Sequence, residues 1–409
     1  MSAVTAYRAL LRIVGPAYIF VAFLGRIPLA MSQLGVLVLI SSETGSYGLG
    51  GAAAGVLAVA NAIGSPIAGT LADRLGQRPV VLVQSLLGAA GLITIVLVAG
   101  PDASRPLLFA ASAFAGVAMP QVGPLARVRW RPLTTRESDQ RRLIDAAFSY
   151  EGAADEASFV LGPALIGVLA IVANPSGALV AGAAMLAVFG SWFALHPTAS
   201  VVERHRAGDV RPEGRLWTTA FVALFLAQLC VGSVFGSIQT GTTALTRSDG
   251  HGDIAGLIHA CLGVGSVTAG LAVAALPATL LYSTRMVASA TALTALSLPL
   301  LLVDSILGLI LAVLALGFAV APYMISNFAL AGILVPAHRV GAAMTFLAGA
   351  TGSGYALGAA IAGRLADEGG HQPALAVTVC SAVAALVVAL AANKVLRFAR
   401  PSEPNERSE

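Results

Sequence analysis

Four ionisable residues stand inside apolar stretches long enough to cross a bilayer: Arg26 in Phe23-Leu24-Gly25-Arg26-Ile27-Pro28, and Glu151, Asp155 and Glu156 in the stretch 145–172. A charge near a bilayer centre costs at least about 2.5–3.5 kcal/mol on insertion scales, so each needs a partner or a task. The chemistry open to such a set is proton binding, with a carboxyl loading on one side of a membrane and unloading on the other. If both stretches enter from the same side, near residues 13 and 144, Arg26 and Glu156 each lie about a dozen residues in, or about 18 Å at helical rise. Asp155 and Glu156 are then level with Arg26. Glu151 is one turn shallower and shares a face with Asp155 through i, i+4 spacing, whereas Glu156 is rotated by about 100°. One arginine cannot offset three ionised acids, so at least one should hold its proton. The expectation is that Asp155 or Glu156 carries a coupling proton while Arg26 keeps its neighbour ionised; a structural salt bridge joining two helices is the alternative.

The elements that must position these groups follow from composition. The 409 residues are 57% hydrophobic and 11% charged, with a mean hydropathy of +0.84, against about 25% charged in a soluble domain. Lipid offers backbone amides no partners, so a spanning chain is either a closed barrel or helical, and the apolar runs here are about 20 residues rather than ten-residue alternations. The fold class is an all-α membrane protein. Charged and turn-rich breaks place spans near 13–40, 50–71, 79–99, 106–126, 145–172 and 176–195, then near 216–238, 254–276, 285–303, 305–330, 341–365 and 373–394. The predicted organisation is a six-helix bundle over 1–195, a cytoplasmic linker over 196–215, a second six-helix bundle over 216–394 and a cytoplasmic tail over 395–409.

Arginine and lysine resist translocation, so their distribution orients the chain. With a cytoplasmic N-terminus one side collects Arg74, Arg78, Arg127, Arg129, Arg131, Arg136, Arg141, Arg142, Arg204, Arg206, Arg211, Arg215, Arg285, Arg339, Lys394, Arg397 and Arg400, and the other only Arg105, Arg247 and Arg364. Both termini are therefore expected in the cytoplasm of a multi-pass plasma-membrane protein. The net charge of +4 belongs to these flanks, which argues for topology and against nucleic acid as a partner. Arg8 and Arg12 precede an apolar run without a small-residue cleavage site, which reads as an uncleaved first span. Cys230, Cys261 and Cys380 lie in spans without metal-ligand spacing and read as packing residues. The scarcity of lysine beside abundant arginine, alanine and glycine suggests a bacterial source.

The halves look related. Leu161-Gly162-Pro163-Ala164-Leu165-Ile166-Gly167 in span five matches Leu357-Gly358-Ala359-Ala360-Ile361-Ala362-Gly363 in span eleven, and Gly116 to Pro120 in span four matches Gly317 to Pro322 in span ten. Parallel repeats of this kind place a substrate site near midplane between them. At the positions of Asp155 and Glu156, span eleven has Thr351 and Gly352.

Between spans two and three stands Gly69-Thr70-Leu71-Ala72-Asp73-Arg74-Leu75-Gly76-Gln77-Arg78. It resembles the signature loop of the major facilitator superfamily, departing at Gln77, where that family usually has arginine or lysine. The resemblance implies a secondary transporter working by alternating access, with Gly69, Asp73, Arg74, Gly76 and Arg78 forming a conformational gate whose partner is span eleven from near Gly341. For Arg74 and Arg78 the alternative is a role as positive-inside anchors only. Gly162 and Pro163 partly resemble a motif of efflux members and imply a kink in helix five and a tilt toward export.

Gln33, Asn61, Gln121, Gln228, Gln239, Tyr323, Asn327 and Tyr355 are the polar candidates for the substrate cavity, beside many small apolar groups. They suit a small apolar or amphipathic molecule, since a multiply charged one would need more cations than Arg26. The expected function is a proton-coupled exporter, monomeric and without a cofactor or metal, whose partners are its small-molecule substrate, protons and the bilayer. Proton-coupled import of a nutrient or metabolite is the alternative. Energy from ATP has no P-loop to act through. An intramembrane enzyme at Ser353 is a remote reading, because no intramembrane histidine follows it. A channel would need a pore loop or charge ring, and neither stands in the sequence.

Overall fold

The computed structural model describes residues 2–202, 214–251, 254–277 and 279–398. Residues 203–213 of the expected linker, with Arg204, Arg206 and Arg211, lie outside the described residues, as do residues 399–409 of the expected tail, with Arg400. Among the described residues the regular structure is helical throughout, with no strand. That is the outcome lipid imposes, since a helix satisfies its backbone within itself.

Two of the spans are broken, and a proline stands at each break. The first runs as α1 (Ala3–Leu24), itself kinked at Gly15 (φ 76°, ψ 158°) ahead of Pro16, and α2 (Ile27–Thr44). Pro28 lacks the N–H that the Leu24 carbonyl would accept, and the chain turns at Gly25 and Arg26. After α3 (Tyr47–Leu75) and α4 (Gln77–Val98), the fourth span runs as α5 (Arg105–Ala118) and α6 (Val122–Leu133). Pro120 sits in the gap between them, where Met119 is extended and Gln121 is non-helical. The fifth span, α7 (Gln140–Val172), passes Pro163 without a break, and the sixth is α8 (Pro175–Met185), a π-helical turn at Leu186–Gly190 and α9 (Ser191–Leu195).

The second half contributes α10 (Thr219–Ser248), α11 (Ala255–Ala272), α12 (Tyr282–Ser297), α13 (Ile306–Leu334), α14 (Val340–Gly369) and α15 (His371–Phe398). Eleven of the spans, counting each broken pair as one, are long and apolar enough to cross a membrane. The remaining one, α14, has 30 residues but is diluted by glycine, serine and threonine. Those small residues serve contact: a Cβ at Gly358 would run into Ser233 of α10, and one at Gly354 into Leu229. Between helices in lipid, packing of this close kind replaces the hydrophobic effect as the source of association.

The chain divides into two compact units, one of Ala3–Ala147 with Ala154–Asp209 and one of Phe148–Ala153 with Val210–Glu409. Within the first, Leu39, Leu57, Leu92, Ile95, Leu108 and Met119 form a fully buried apolar core. Against α2 of that unit lies Gly162, whose added Cβ would come within 2.6 Å of the Ala30 Cβ.

Candidate functional site

Asp155 on α7 stands between two guanidinium groups. Arg26, at the joint of α1 and α2, places Nη1 3.2 Å from Oδ1, and Arg127 on α6 places Nη2 2.7 Å from Oδ2. Each carboxylate oxygen therefore accepts from a different arginine. The two arginine side chains are 4% and 1% exposed, whereas that of Asp155 is 20% exposed, so the carboxylate is the accessible member of the cluster. Gly123, in the first turn of α6, lies so close that a Cβ there would strike the Asp155 carboxylate. The positive end of the α6 dipole thus adds to the two guanidinium charges. Glu151 and Glu156 are buried on the same helix, and each has polar partners.

The equal depth of Arg26 and Asp155 read from the sequence is realised as a contact, but the charge arithmetic changes. Charge counting set Arg127 and Arg129 in a loop after Ala126; the helix continues to Leu133, and both arginines are buried on it. Their signal was the apolar residue after each, Val128 and Trp130, which makes an alternation unlike a solvated loop. Buried charge is also not confined to the first half. Arg285, read as a loop cation, is 3% exposed in α12, donates from Nη2 to the Pro277 carbonyl at 3.0 Å and lies 5.0 Å from the Tyr282 ring centre.

The second half has a neutral counterpart of the Asp155 cluster. Gln228 on α10 donates from Nε2 to the Thr351 hydroxyl on α14 at 2.9 Å, and its Oε1 accepts from Asn327 on α13 at 2.7 Å. Asn327 also donates to the Leu224 carbonyl at 3.0 Å, and the Tyr323 hydroxyl donates to that of Ala227 at 3.3 Å. Nearby along the helices, the Tyr355 hydroxyl donates to Gln239. In the first half, Asn61 donates from Nδ2 to the carbonyls of Gly116 and Met119, both at 3.1 Å, and accepts from Gln121 at 2.7 Å. Of the cavity candidates, Gln33 is exposed and the other seven are engaged in these helix-to-helix bonds.

A family model of the Major Facilitator Superfamily matches residues 18–276. The chain belongs to that superfamily. No curated protein sequence matches it. Among solved structures, the human organic anion transporter MFSD10 (TETRAN) is similar at 20% identity and a TM-score of 0.69, over 93% of this chain and 98% of that one. A bacterial homologue of the iron transporter ferroportin, outward-facing, is similar at 16% identity and a TM-score of 0.70, over 93% and 97%. The nucleoside transporter NupG follows at 18% identity and 0.58, over 93% and 98%. At these identities the likeness is one of fold, and with the family it makes this chain a multi-pass membrane transporter.

The major facilitator signature loop closes the α3–α4 turn. Gly76 adopts φ 87° and ψ 155°, a region essentially reserved for glycine, and Gly69 and Asp73 are buried while Arg74 and Arg78 are exposed. Arg78 reaches the Leu195 carbonyl at 3.5 Å. Gln77, the departure from the family pattern, is 1% exposed. It accepts from Arg129 Nε at 2.8 Å and donates to the Leu125 carbonyl at 3.1 Å. The same guanidinium donates to the Phe193 carbonyl at 3.1 Å and the Thr198 hydroxyl at 2.9 Å, and lies 3.7 Å from the Phe193 ring centre. Thr198 in turn bonds His196, whose pKa is held below the ordinary 6.5 by burial first and by Arg129 second. A buried cation thus stands beside position 77, and it comes from α6.

Proposed function

We propose that this transporter is a proton-coupled exporter of a small apolar or amphipathic molecule, with Asp155 as the coupling carboxylate. One observation carries the reading: the acid of the Arg26–Asp155–Arg127 cluster is its more accessible member, at 20% exposure, while both arginines are buried. A proton arriving from water meets the carboxylate first and removes the charge that both guanidiniums face. The α1–α2 joint and α6 then lose an attachment to α7, and the change of attachment is the differential contact that a two-state carrier requires. Glu151 and Glu156 supply further acids on α7. Asp73, with Gly69, Arg74, Gly76 and Arg78, is the proposed gate, and Gly162 with Pro163 tilts the direction toward export. Both termini are placed in the cytoplasm of a bacterial cell, and the protein is taken as a monomer. Proton-coupled import by the same cluster is the second reading.

Inverted membrane vesicles test the proposal, with a panel of labelled compounds assayed under an imposed pH gradient and after its collapse. Gradient-driven accumulation of one compound is expected, lost in Asp155→Asn while the purified protein stays folded by thermal melting. Accumulation in inverted vesicles reads as export, and gradient-driven depletion reads as import. Wild-type proton dependence retained in Asp155→Asn would remove its coupling role, and loss in Glu156→Gln instead would move that role to Glu156.

A further inference from the structure

The break in the fourth span has a partner that its counterpart in the second half lacks. In an unbroken helix the Gly116 carbonyl would accept from the N–H of residue 120, which is proline and has none; it accepts from the Met119 N–H at 3.2 Å instead. The Met119 carbonyl sits in the same non-helical gap. Asn61 of α3 donates to both, and its own oxygen accepts from Gln121, so every polar atom of this 8%-exposed side chain is used at the break. The second half repeats the packing: a Cβ on Gly116 would strike the Leu57 carbonyl, and one on Gly317 the Leu262 carbonyl. By that pairing the place of Asn61 falls to Ser266, whose buried hydroxyl makes no hydrogen bond to α13, and α13 there runs past Pro322 without a gap. The asparagine and the break occur together, and so does the charged cluster. Immediately beyond the break, the first turn of α6 brings Gly123 against Asp155, and the same helix carries Arg127.

We propose that Asn61 and Gln121 are positioning residues: they latch the α5–α6 break in the register that sets the first turn of α6 and Arg127 against the Asp155 carboxylate. This inference rests on the coupling role proposed for Asp155. It moves Asn61 and Gln121 from the substrate cavity to the coupling machinery. Asp155 also faces Arg26 from the α1–α2 joint and shares α7 with Glu151 and Glu156, so the latch controls the α6 contribution and leaves those groups in place.

The proton itself is the probe. Full-length protein in detergent is titrated by infrared difference spectroscopy, and the carboxyl band of Asp155 is identified by its loss in Asp155→Asn. In Asn61→Leu and in Gln121→Leu, the midpoint of that band is expected to be displaced from wild type by about one pH unit or more, the scale on which a nearby charge acts. Gly358→Ala is the control for general loosening, because its Cβ crowds Ser233 of α10 in the second half, away from the latch; its midpoint should coincide with wild type. If Asn61→Leu does not fold, Gln121→Leu keeps both carbonyl bonds of Asn61 and carries the test alone. A wild-type midpoint in the latch variants overturns the positioning role while leaving Asp155 as the coupling acid. Absence of any band lost in Asp155→Asn removes the coupling reading, and the latch's role with it.

Discussion

Gln77 and Arg129 divide between them what major facilitator loops usually carry at one position. Arg129 has no exposed surface and satisfies Gln77, the Phe193 carbonyl and Thr198 at once. Arg129→Gln should cost about 1–3 kcal/mol for each buried acceptor it orphans. Gln77→Arg should cost at least as much, because it sets two guanidiniums in one buried space. The double variant Gln77→Arg with Arg129→Gln returns a single cation to the family position. It is expected to recover most of either loss in a double-mutant cycle of thermal melts. A double variant no more stable than the worse single one would show that the two sites do not exchange the charge. From sequence, Gln77 is one odd letter in a motif. What it compensates is a residue 52 positions away, and no local pattern carries that distance.

Helix contacts follow the repeated small residues, and the sequence match between spans five and eleven is sharper in three dimensions than in letters. Gly162 approaches Ala30 and Met31 of α2, and its counterpart Gly358 approaches Ser233 of α10. Gly167 and Gly363, the last residues of the matched segments, are open: the first has nothing within 4 Å of an added Cβ, and the second only Thr240 at 4.0 Å. Alanine at 162 or 358 should therefore destabilise by about 1–3 kcal/mol through overpacking. At 167 or 363 it should be neutral or slightly stabilising, because alanine outranks glycine in a helix interior. Melting curves of the four variants check this, and equal gains at all four positions would mean that helix propensity rather than contact decides the outcome. Hydropathy found the spans because lipid transfer sums over about 20 residues and tolerates errors at the ends. It could not find the interruptions at Gly25–Arg26 and Met119–Gln121, since partners such as Asn61, which donates to the Gly116 and Met119 carbonyls, are distant in sequence. The same blindness put Arg127 in a loop: the span was ended at the first charge, and the partner that makes the charge tolerable, Asp155, comes from another helix.

Each half of the molecule joins three spans through one polar node, and the two nodes differ in kind. In the first half the spans one, five and four meet through Arg26, Asp155 and Arg127; in the second, spans seven, eleven and ten meet through Gln228, Thr351 and Asn327. Thr351 holds the place of Asp155 in the repeat, so the architecture requires a polar contact there and not a charge. A neutral node can hold helices together but cannot change its charge with pH near neutrality, since neither amide nor hydroxyl titrates there. The consequence is a separation of roles that mutation can read. Gln228→Leu should lower thermal stability by about 1–3 kcal/mol, because the buried Asn327 amide and the half-buried Thr351 hydroxyl both lose a partner. Its flux in inverted vesicles, for the compound found in the gradient screen, should keep the wild-type ratio between imposed and collapsed pH gradients. Asp155→Asn should bring that ratio to one. If Gln228→Leu also brought it to one while folded, coupling would be spread over both nodes, and the charge of the first would no longer explain why only it contains an acid.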